Sequence, residues 1–202
     1  WGTPGAFSFG HSIEDVGAAV AYLREPENAK RLRVDPKRIV LIGHSMGGFM
    51  AVEAGAADPS IAALGLISAA DMAGNVPAGL PPAAEATVVP RIAAGLAREG
   101  MAPLAGCTPE GLARELFTHA DQWRFSASAA ADATRPVLVV TSGDGLAPAD
   151  DAFAAALQAH GDKAVTTVHF DADHAYSDVR PRLIEAVLTW LRKLPIAPPM
   201  RV

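Results

Sequence analysis

The sequence predicts an α/β fold in which helices cover both faces of a mostly parallel sheet. Short apolar segments alternate with helical patterns along most of the chain, as in proteins whose parallel strands are joined by helices. The first apolar segment, residues 39–42, contains no polar side chain, as expected of a strand buried on both faces. It runs directly into the G-x-S-x-G sequence of residues 43–47, where a helical pattern begins.

The other elements follow from local signals. The stretch Ser12-Ile13-Glu14-Asp15 is similar to a capping box and predicts the start of a helix, which Pro26 would end. The remaining patterns predict helices at 46–57, 149–160 and 179–194, and strands at 61–68, 136–141 and 164–170.

Residues 71–134 interrupt this alternation. They contain many of the prolines but still carry two amphipathic helical patterns, at 88–99 and 109–119. A segment with its own helices is more typical of a cap or lid than of a linker. We therefore expect a core made of residues 1–70 and 135–202, with residues 71–134 inserted as a cap whose Leu80, Val88, Leu112 and Phe117 shape an acyl pocket.

The composition of the chain excludes several classes of binding partner and structural feature. The chain has 202 residues, half of them hydrophobic, and a net charge of -5. It has no broad basic field for nucleic acid, and no apolar run long enough to span a membrane. The single cysteine, Cys107, excludes an intrachain disulfide. No clustered ligand pattern indicates a metal or a cofactor, so we predict neither.

Ser45 is the candidate nucleophile. It lies between a buried strand and a helix, which is the context of a nucleophile elbow: glycines let the backbone pass closely, and the turn exposes the hydroxyl. The amides at the start of the helix point to the same place, so the Met46 amide is a candidate oxyanion donor. The alternative is a tight strand-to-helix turn with an incidental serine.

His174 is the candidate base among six histidines. It lies in a polar loop between the last predicted strand and the last helix, and open parallel sheets place functional residues in such loops. His44 adjoins the serine, but side chains of adjacent turn residues diverge. The surroundings of the other four histidines do not indicate a catalytic role. His11 precedes a helix cap, His119 lies in the insertion, His160 ends a helix and His169 lies inside a strand.

Asp144 is the candidate acid, because it is the first carboxylate after the strand at 136–141. The alternatives are a simple turn aspartate beside Gly145, or Asp71 as the acid, which follows the strand at 61–68. Asp173 is too close in sequence to His174 to orient its ring well.

These residues, in this order, resemble the α/β-hydrolase fold, and more closely the bacterial prolyl-oligopeptidase-like and dipeptidyl-aminopeptidase-like serine hydrolases. The stretches that carry the resemblance are WGTPGAFSFGHSIEDVGAAVAYL, VDPKRIVLIGHSMGGFMA, RPVLVVTSGDGLAP and DHAYSDVRPRLIEAVLTWL. The resemblance implies Ser45 as nucleophile, Asp144 as acid and His174 as base. It also implies hydrolysis of a carboxylic ester or thioester through an acyl-enzyme, with a peptidase or an inactive binding module as alternatives.

The resemblance has one departure. In that family several strands precede the region that matches Trp1, in the order 1-2-4-3-5-6-7-8, and one of their loops supplies a second oxyanion amide. We find no such loop, and the N-terminal part of the fold is expected to be missing. The strand at 39–42 would then be an exposed apolar edge. The expected partners are a substrate together with a second copy of the chain or a complementing N-terminal polypeptide.

Overall fold

The computed structural model describes residues 5–99, 104–162 and 164–195. Within them lies one sheet whose strands are all parallel and run in the order β1-β2-β3-β4. The strands are β1 (Val40–His44), β2 (Ala63–Ile67), β3 (Val137–Thr141) and β4 (Val165–His169). Because they are parallel, all their carboxyl ends meet at one edge of the sheet. The predicted fold class is thereby confirmed.

Eight α-helices precede, connect or follow the strands in the described residues. They are α1 (Phe9–Arg24), α2 (Pro26–Leu32), α3 (Met46–Ala57), α4 (Glu85–Leu96), α5 (Pro109–Thr118), α6 (Phe125–Asp132), α7 (Ala147–Ala159) and α8 (Arg180–Lys193). Short 3-10 turns, Pro82–Ala84 and Ala97–Glu99, flank α4. Across the described ranges, no helix combines the length and the apolar character needed to cross a bilayer.

Alternate strand residues face two different cores, as the two-residue period of a strand requires. On one face, Leu64 and Val139 pack with residues of α1, α3 and α7 in the larger core. On the other face, Leu138 and Val140 pack against Trp190 of α8. Helix α6 lies in the layer of the larger core, where it packs against α3 and α7.

Helix α1 begins four residues earlier than the predicted capping box. Its N-cap is Ser8, whose hydroxyl accepts from the His11 amide at 3.0 Å. The carboxylate of Glu115 accepts from the Phe9 and Gly10 amides, at 3.0 and 2.9 Å. Ser12 lies inside the helix and donates its hydroxyl proton to the Ser8 carbonyl. These contacts satisfy orphan amides of the first turn, and they favour this earlier start.

Strand β1 has one exposed apolar residue. Within the described residues β1 pairs only with β2, and Ile42 is 42% exposed, whereas the sequence pattern predicted burial on both faces. Ile42 lies on the same face as Val40, which packs into the core beneath α8. The centre of that core lies over β3 and β4, so β1 is only partly covered.

Candidate active site

Ser45 occupies the turn between β1 and α3 with φ 57° and ψ −124°, a left-handed conformation that costs a residue with a side chain about 1–3 kcal/mol. Three backbone hydrogen bonds hold it there. Its amide donates to the Ile67 carbonyl at 3.0 Å, and its carbonyl accepts from the Gly48 and Ala70 amides at 2.9 and 3.0 Å. The elbow is therefore fixed to the end of β2.

Two glycines make the close approach at the elbow. A Cβ on Gly43 would lie 1.9 Å from the Gly47 carbonyl oxygen, and one on Gly48 would lie 2.4 Å from the Cβ of Ala69. By contrast, a Cβ on Gly47 would meet no atom within 4 Å. The main chain at residue 47 therefore passes so close to residue 43 that residue 43 has to be a glycine.

Helix α3 points its amino end at the same place. Its N-cap, Ser45, makes no side-chain capping bond. In the described part of the chain no acceptor is found for the Met46 amide, which is the first of the helix. A free amide at the positive end of a helix dipole can stabilise an oxyanion that forms beside the Ser45 hydroxyl.

Asp144 and His174 form a direct pair. The Nδ1 atom of His174 lies 2.7 Å from Oδ2 of Asp144, whose side chain is 5% exposed. A carboxylate only accepts hydrogen bonds, so Nδ1 of His174 carries the proton and Nε2 of the neutral ring is left as a base. The Gly143 amide donates to the Ala172 carbonyl at 3.2 Å, which ties the two loops together.

The His174 ring lies beside the residue that precedes the nucleophile. The ring centroids of His44 and His174 are 4.5 Å apart, and Nε2 of His44 donates to the His174 carbonyl at 2.8 Å. In the described residues the hydrogen bond of the His174 ring runs to Asp144, and none runs to the Ser45 hydroxyl. In enzymes without substrate this bond is often long and tightens when substrate binds.

Asp144 remains ionised to low pH. Burial alone would raise its pKa, but interactions with His174, the Ser68 hydroxyl, the Leu146 amide and the Ser142 hydroxyl outweigh burial and lower the pKa to about 2. The carboxylate is therefore charged at neutral pH, where it can stabilise a positive charge on the His174 ring.

The sequence pattern of the α/β hydrolase family matches residues 1–187. The chain belongs to the α/β hydrolase family. No curated protein matches the sequence.

Several esterase structures share the fold. An esterase from Rhizomucor miehei aligns with a TM-score of 0.58 at 18% identity, over 90% of this chain and 58% of its own. A thermostable carboxylesterase from a metagenomic library aligns with a TM-score of 0.58 at 22% identity, over 93% of this chain and 64% of its own. A Pyrococcus furiosus esterase aligns with a TM-score of 0.56 at 17% identity, over 90% of this chain and 61% of its own. At such identities the likeness shows the fold alone. The chain spans about three fifths of the length of these structures.

The other candidate residues of this α/β hydrolase lie in different surroundings. Oδ2 of Asp71, the alternative acid, accepts from the Phe125 amide at 3.4 Å, and burial raises its pKa. Nδ1 of His169 lies 2.9 Å from the Thr141 hydroxyl, and the ring of His119 stacks on Trp123. Among the described residues, the carboxylate that meets the ring of His174 is that of Asp144.

Three hydroxyl residues close to the loop of the candidate acid were missed by sequence reasoning. The Ser68 hydroxyl lies 3.0 Å from that of Ser142 and 2.8 Å from that of Tyr176. Ser142 adjoins the predicted acid loop and Tyr176 lies two residues after His174, so proximity in sequence was a signal for both. No signal was present for Ser68, since a serine at the end of a strand is common.

The inserted segment of this hydrolase contains α4 and α5, which pack together through Val89, Ala93 and Ala113. Leu80 and Phe117 line a cavity of about 280 Å³. Leu112, predicted to shape an acyl pocket, is buried in the larger core at 3% exposure.

In the ranges that the structure describes, no group of three or more His, Cys, Asp or Glu side chains is arranged to hold a metal ion.

Proposed function

We propose that this chain is a serine hydrolase that cleaves a carboxylic ester or thioester through an acyl-enzyme on Ser45. The observation that carries the proposal is the Asp144–His174 hydrogen bond of 2.7 Å, formed by two loops beside a serine held at a strained elbow. A nucleophile, a base and a group that orients the base are the parts that such chemistry needs.

In the first step Nε2 of His174 accepts the proton of the Ser45 hydroxyl while Oγ attacks the carbonyl carbon of the substrate. The ring becomes positively charged, and the Asp144 carboxylate at Nδ1 stabilises that charge. The carbonyl oxygen becomes an oxyanion, to which the Met46 amide donates a hydrogen bond.

In the second step the oxyanion reforms the carbonyl and expels the alcohol or thiol, which takes the proton from His174. A water molecule then attacks the acyl-enzyme while His174 accepts its proton, and His174 returns that proton to Oγ of Ser45 as the acid is released. His174 gains and loses one proton in each half of the reaction, so no cofactor enters the scheme.

The esterase structures that share the fold support an ester in preference to a peptide. A serine peptidase of the prolyl-oligopeptidase type is the second candidate. It is favoured by residues 173–178, Asp-His-Ala-Tyr-Ser-Asp, which are similar to the histidine motif of those enzymes.

We propose that residues 71–134 form the cap, with the cavity at Leu80 and Phe117 as part of an acyl pocket.

A fluorophosphonate probe tests the nucleophile without knowledge of the substrate. We expect covalent labelling of the chain and its loss in Ser45→Ala and His174→Ala, with Ser126→Ala, an exposed serine on α6, as the matched control. Hydrolysis of p-nitrophenyl esters should fall by on the order of a thousandfold or more in Ser45→Ala. Preference for p-nitroanilide peptides over these esters would favour the peptidase. An unlabelled chain would indicate an inactive binding module.

We also propose that a further polypeptide covers β1. Within the described residues this strand has one partner, β2, and its Ile42 is exposed together with Ile184 and Leu188 of α8. Unpaired strand edges with apolar side chains associate unless they are covered. Either a second copy of the chain or a complementing N-terminal polypeptide would pair with β1, and the N-terminal polypeptide would also supply a second oxyanion donor.

A further inference from the structure

Three hydroxyl groups meet at the edge of the sheet where the strands end, from segments that follow three different strands. Ser68 follows β2, Ser142 follows β3 and Tyr176 lies in the loop after β4. Their exposed fractions are 0%, 1% and 1%. The Ser68 hydroxyl is central, at 3.0 Å from that of Ser142 and 2.8 Å from that of Tyr176.

Two of these residues are held in left-handed backbone conformations, with φ 41° for Ser68 and 54° for Tyr176. Such conformations cost a residue with a side chain about 1–3 kcal/mol and persist where the surroundings fix them. The Ser68 amide donates to the Val140 carbonyl at 2.8 Å, and the Tyr176 amide donates to the Asp173 carbonyl at 3.0 Å. The backbone therefore brings both side chains to the same point, where their hydroxyls meet.

The hydrogen atoms of the three hydroxyls can be assigned by counting donors and acceptors. The Tyr176 hydroxyl has one proton and two acceptors in reach, the Ser68 hydroxyl at 2.8 Å and the Val140 carbonyl at 3.3 Å. The shorter contact favours donation to Ser68, whose own proton is then directed onward to the Ser142 hydroxyl, 3.0 Å away. The protons in this chain then run from Tyr176 through Ser68 to Ser142, which lies two residues before Asp144, and each bond polarises the next.

We propose that Tyr176, Ser68 and Ser142 are positioning residues that hold the Asp144 carboxylate against the His174 ring. This inference rests on the proposed function. Tyr176 is two residues from His174, so the loop that carries the base also reaches back to the acid. The loops of the acid and the base are thereby joined twice, by the 2.7 Å bond between their side chains and by the hydroxyl chain from Tyr176 through Ser68 to Ser142, two residues before Asp144.

The ring of Tyr176 has a separate structural role, which the test has to exclude. It packs edge-on against Phe170 with ring centroids 6.0 Å apart, inside the core beneath α8. Tyr176→Phe keeps this ring and removes only the hydroxyl. The other tyrosine of the chain, Tyr22, is 50% exposed on α1, so Tyr22→Phe is the matched control.

The first measurement is the titration of the Asp144 carboxyl carbon by nuclear magnetic resonance in the full chain. We expect a higher pKa for Asp144 in Tyr176→Phe and in Ser142→Ala than in the wild type, because each variant removes a hydroxyl that ties the acid loop to the base loop and so weakens the bond from Nδ1 of His174 to the carboxylate. Tyr22→Phe should leave the titration unchanged. An unchanged titration in Tyr176→Phe, with a folded protein, would overturn the inference.

The second measurement is ester hydrolysis. In Tyr176→Phe we expect kcat to fall about three- to tenfold, the effect of one lost hydrogen bond, with KM unchanged. Because Tyr176 acts through Ser68, the double variant Tyr176→Phe/Ser68→Ala should be no slower than Ser68→Ala alone. Additive losses would overturn the proposed route. If the wild type hydrolyses no ester, the proposed function fails, and the Asp144 titration still decides whether the network exists.

Discussion

At the scale of single residues, three carboxyl groups outside the candidate site hold their protons to unusually high pH. Burial raises the pKa of Glu53 to about 8, and that of Asp132 and Asp150 to about 7. Asp132 and Asp150 have no exposed surface, and each has a carboxyl oxygen without a partner among the described residues. The nearby charges of Asp144, Asp151 and Asp71 raise the pKa of Asp150 further.

These groups predict that the fold weakens as pH rises toward 8. In the unfolded chain such an aspartate has its ordinary pKa of 3.8 and loses its proton at a lower pH than in the folded chain. Between about pH 4 and 7 the folded chain therefore binds more protons than the unfolded chain. The free energy of unfolding therefore falls with rising pH, by up to about 1.4 kcal/mol per pH unit for a group such as Asp150. Urea unfolding at several pH values between 5 and 8 measures this slope.

Asp150→Asn isolates the contribution of one group. Its amide oxygen can still accept from the Ala69 amide, which donates to Asp150 at 3.0 Å, but the side chain no longer titrates. We expect a flatter dependence on pH than in the wild type, whereas Asp15→Asn, an exposed position on α1, should parallel the wild type. Parallel curves for Asp150→Asn would show that Asp150 is already ionised in the folded chain at neutral pH.

At the scale of elements, the glycines around Ser45 differ in what they contribute to the strand–turn–helix unit. Gly48→Ala would bring a Cβ to 2.4 Å from that of Ala69, so we expect a loss of about 1–3 kcal/mol in the free energy of unfolding. Gly47→Ala meets open space in the first turn of α3 and should stabilise the helix by up to about 1 kcal/mol. Thermal and urea unfolding of the two variants compare them directly, and equal losses would contradict this order.

The elements also show what the sequence could predict. Ser45 follows β1 directly, and Asp144 and His174 lie in the loops just after β3 and β4, so the end of an apolar run marks their positions. The start of α1 could not be predicted in this way, because the Glu115 carboxylate that receives its first amides comes from a helix more than a hundred residues later. The contacts of Ser68 could not be predicted for the same reason, since they are made with hydroxyls that only folding brings together.

At the scale of the whole molecule, the parallel direction of the strands follows from the alternation of strands and helices, but what packs on each face of the sheet does not. Apolar character predicted that β1 is buried on both sides, yet whether a strand is buried depends on what packs on it. In the described residues α8 leaves Ile42 exposed, and Ile184 and Leu188 of α8 are exposed as well. These side chains mark the side of the molecule where we expect a partner.

The chain should therefore associate in solution through β1. Each buried backbone group left without a partner costs about 1–3 kcal/mol, which favours pairing with another strand. Light scattering at micromolar concentration should give a mass above that of one chain. If a second copy covers β1, Ile42→Glu should shift the mass toward the monomer, while Leu32→Glu, at the similarly exposed Leu32 of α2, should not. Ill-defined aggregation that a supplied N-terminal polypeptide suppresses would favour a complementing chain, and a stable monomer with rapid ester hydrolysis would show that β1 needs no partner.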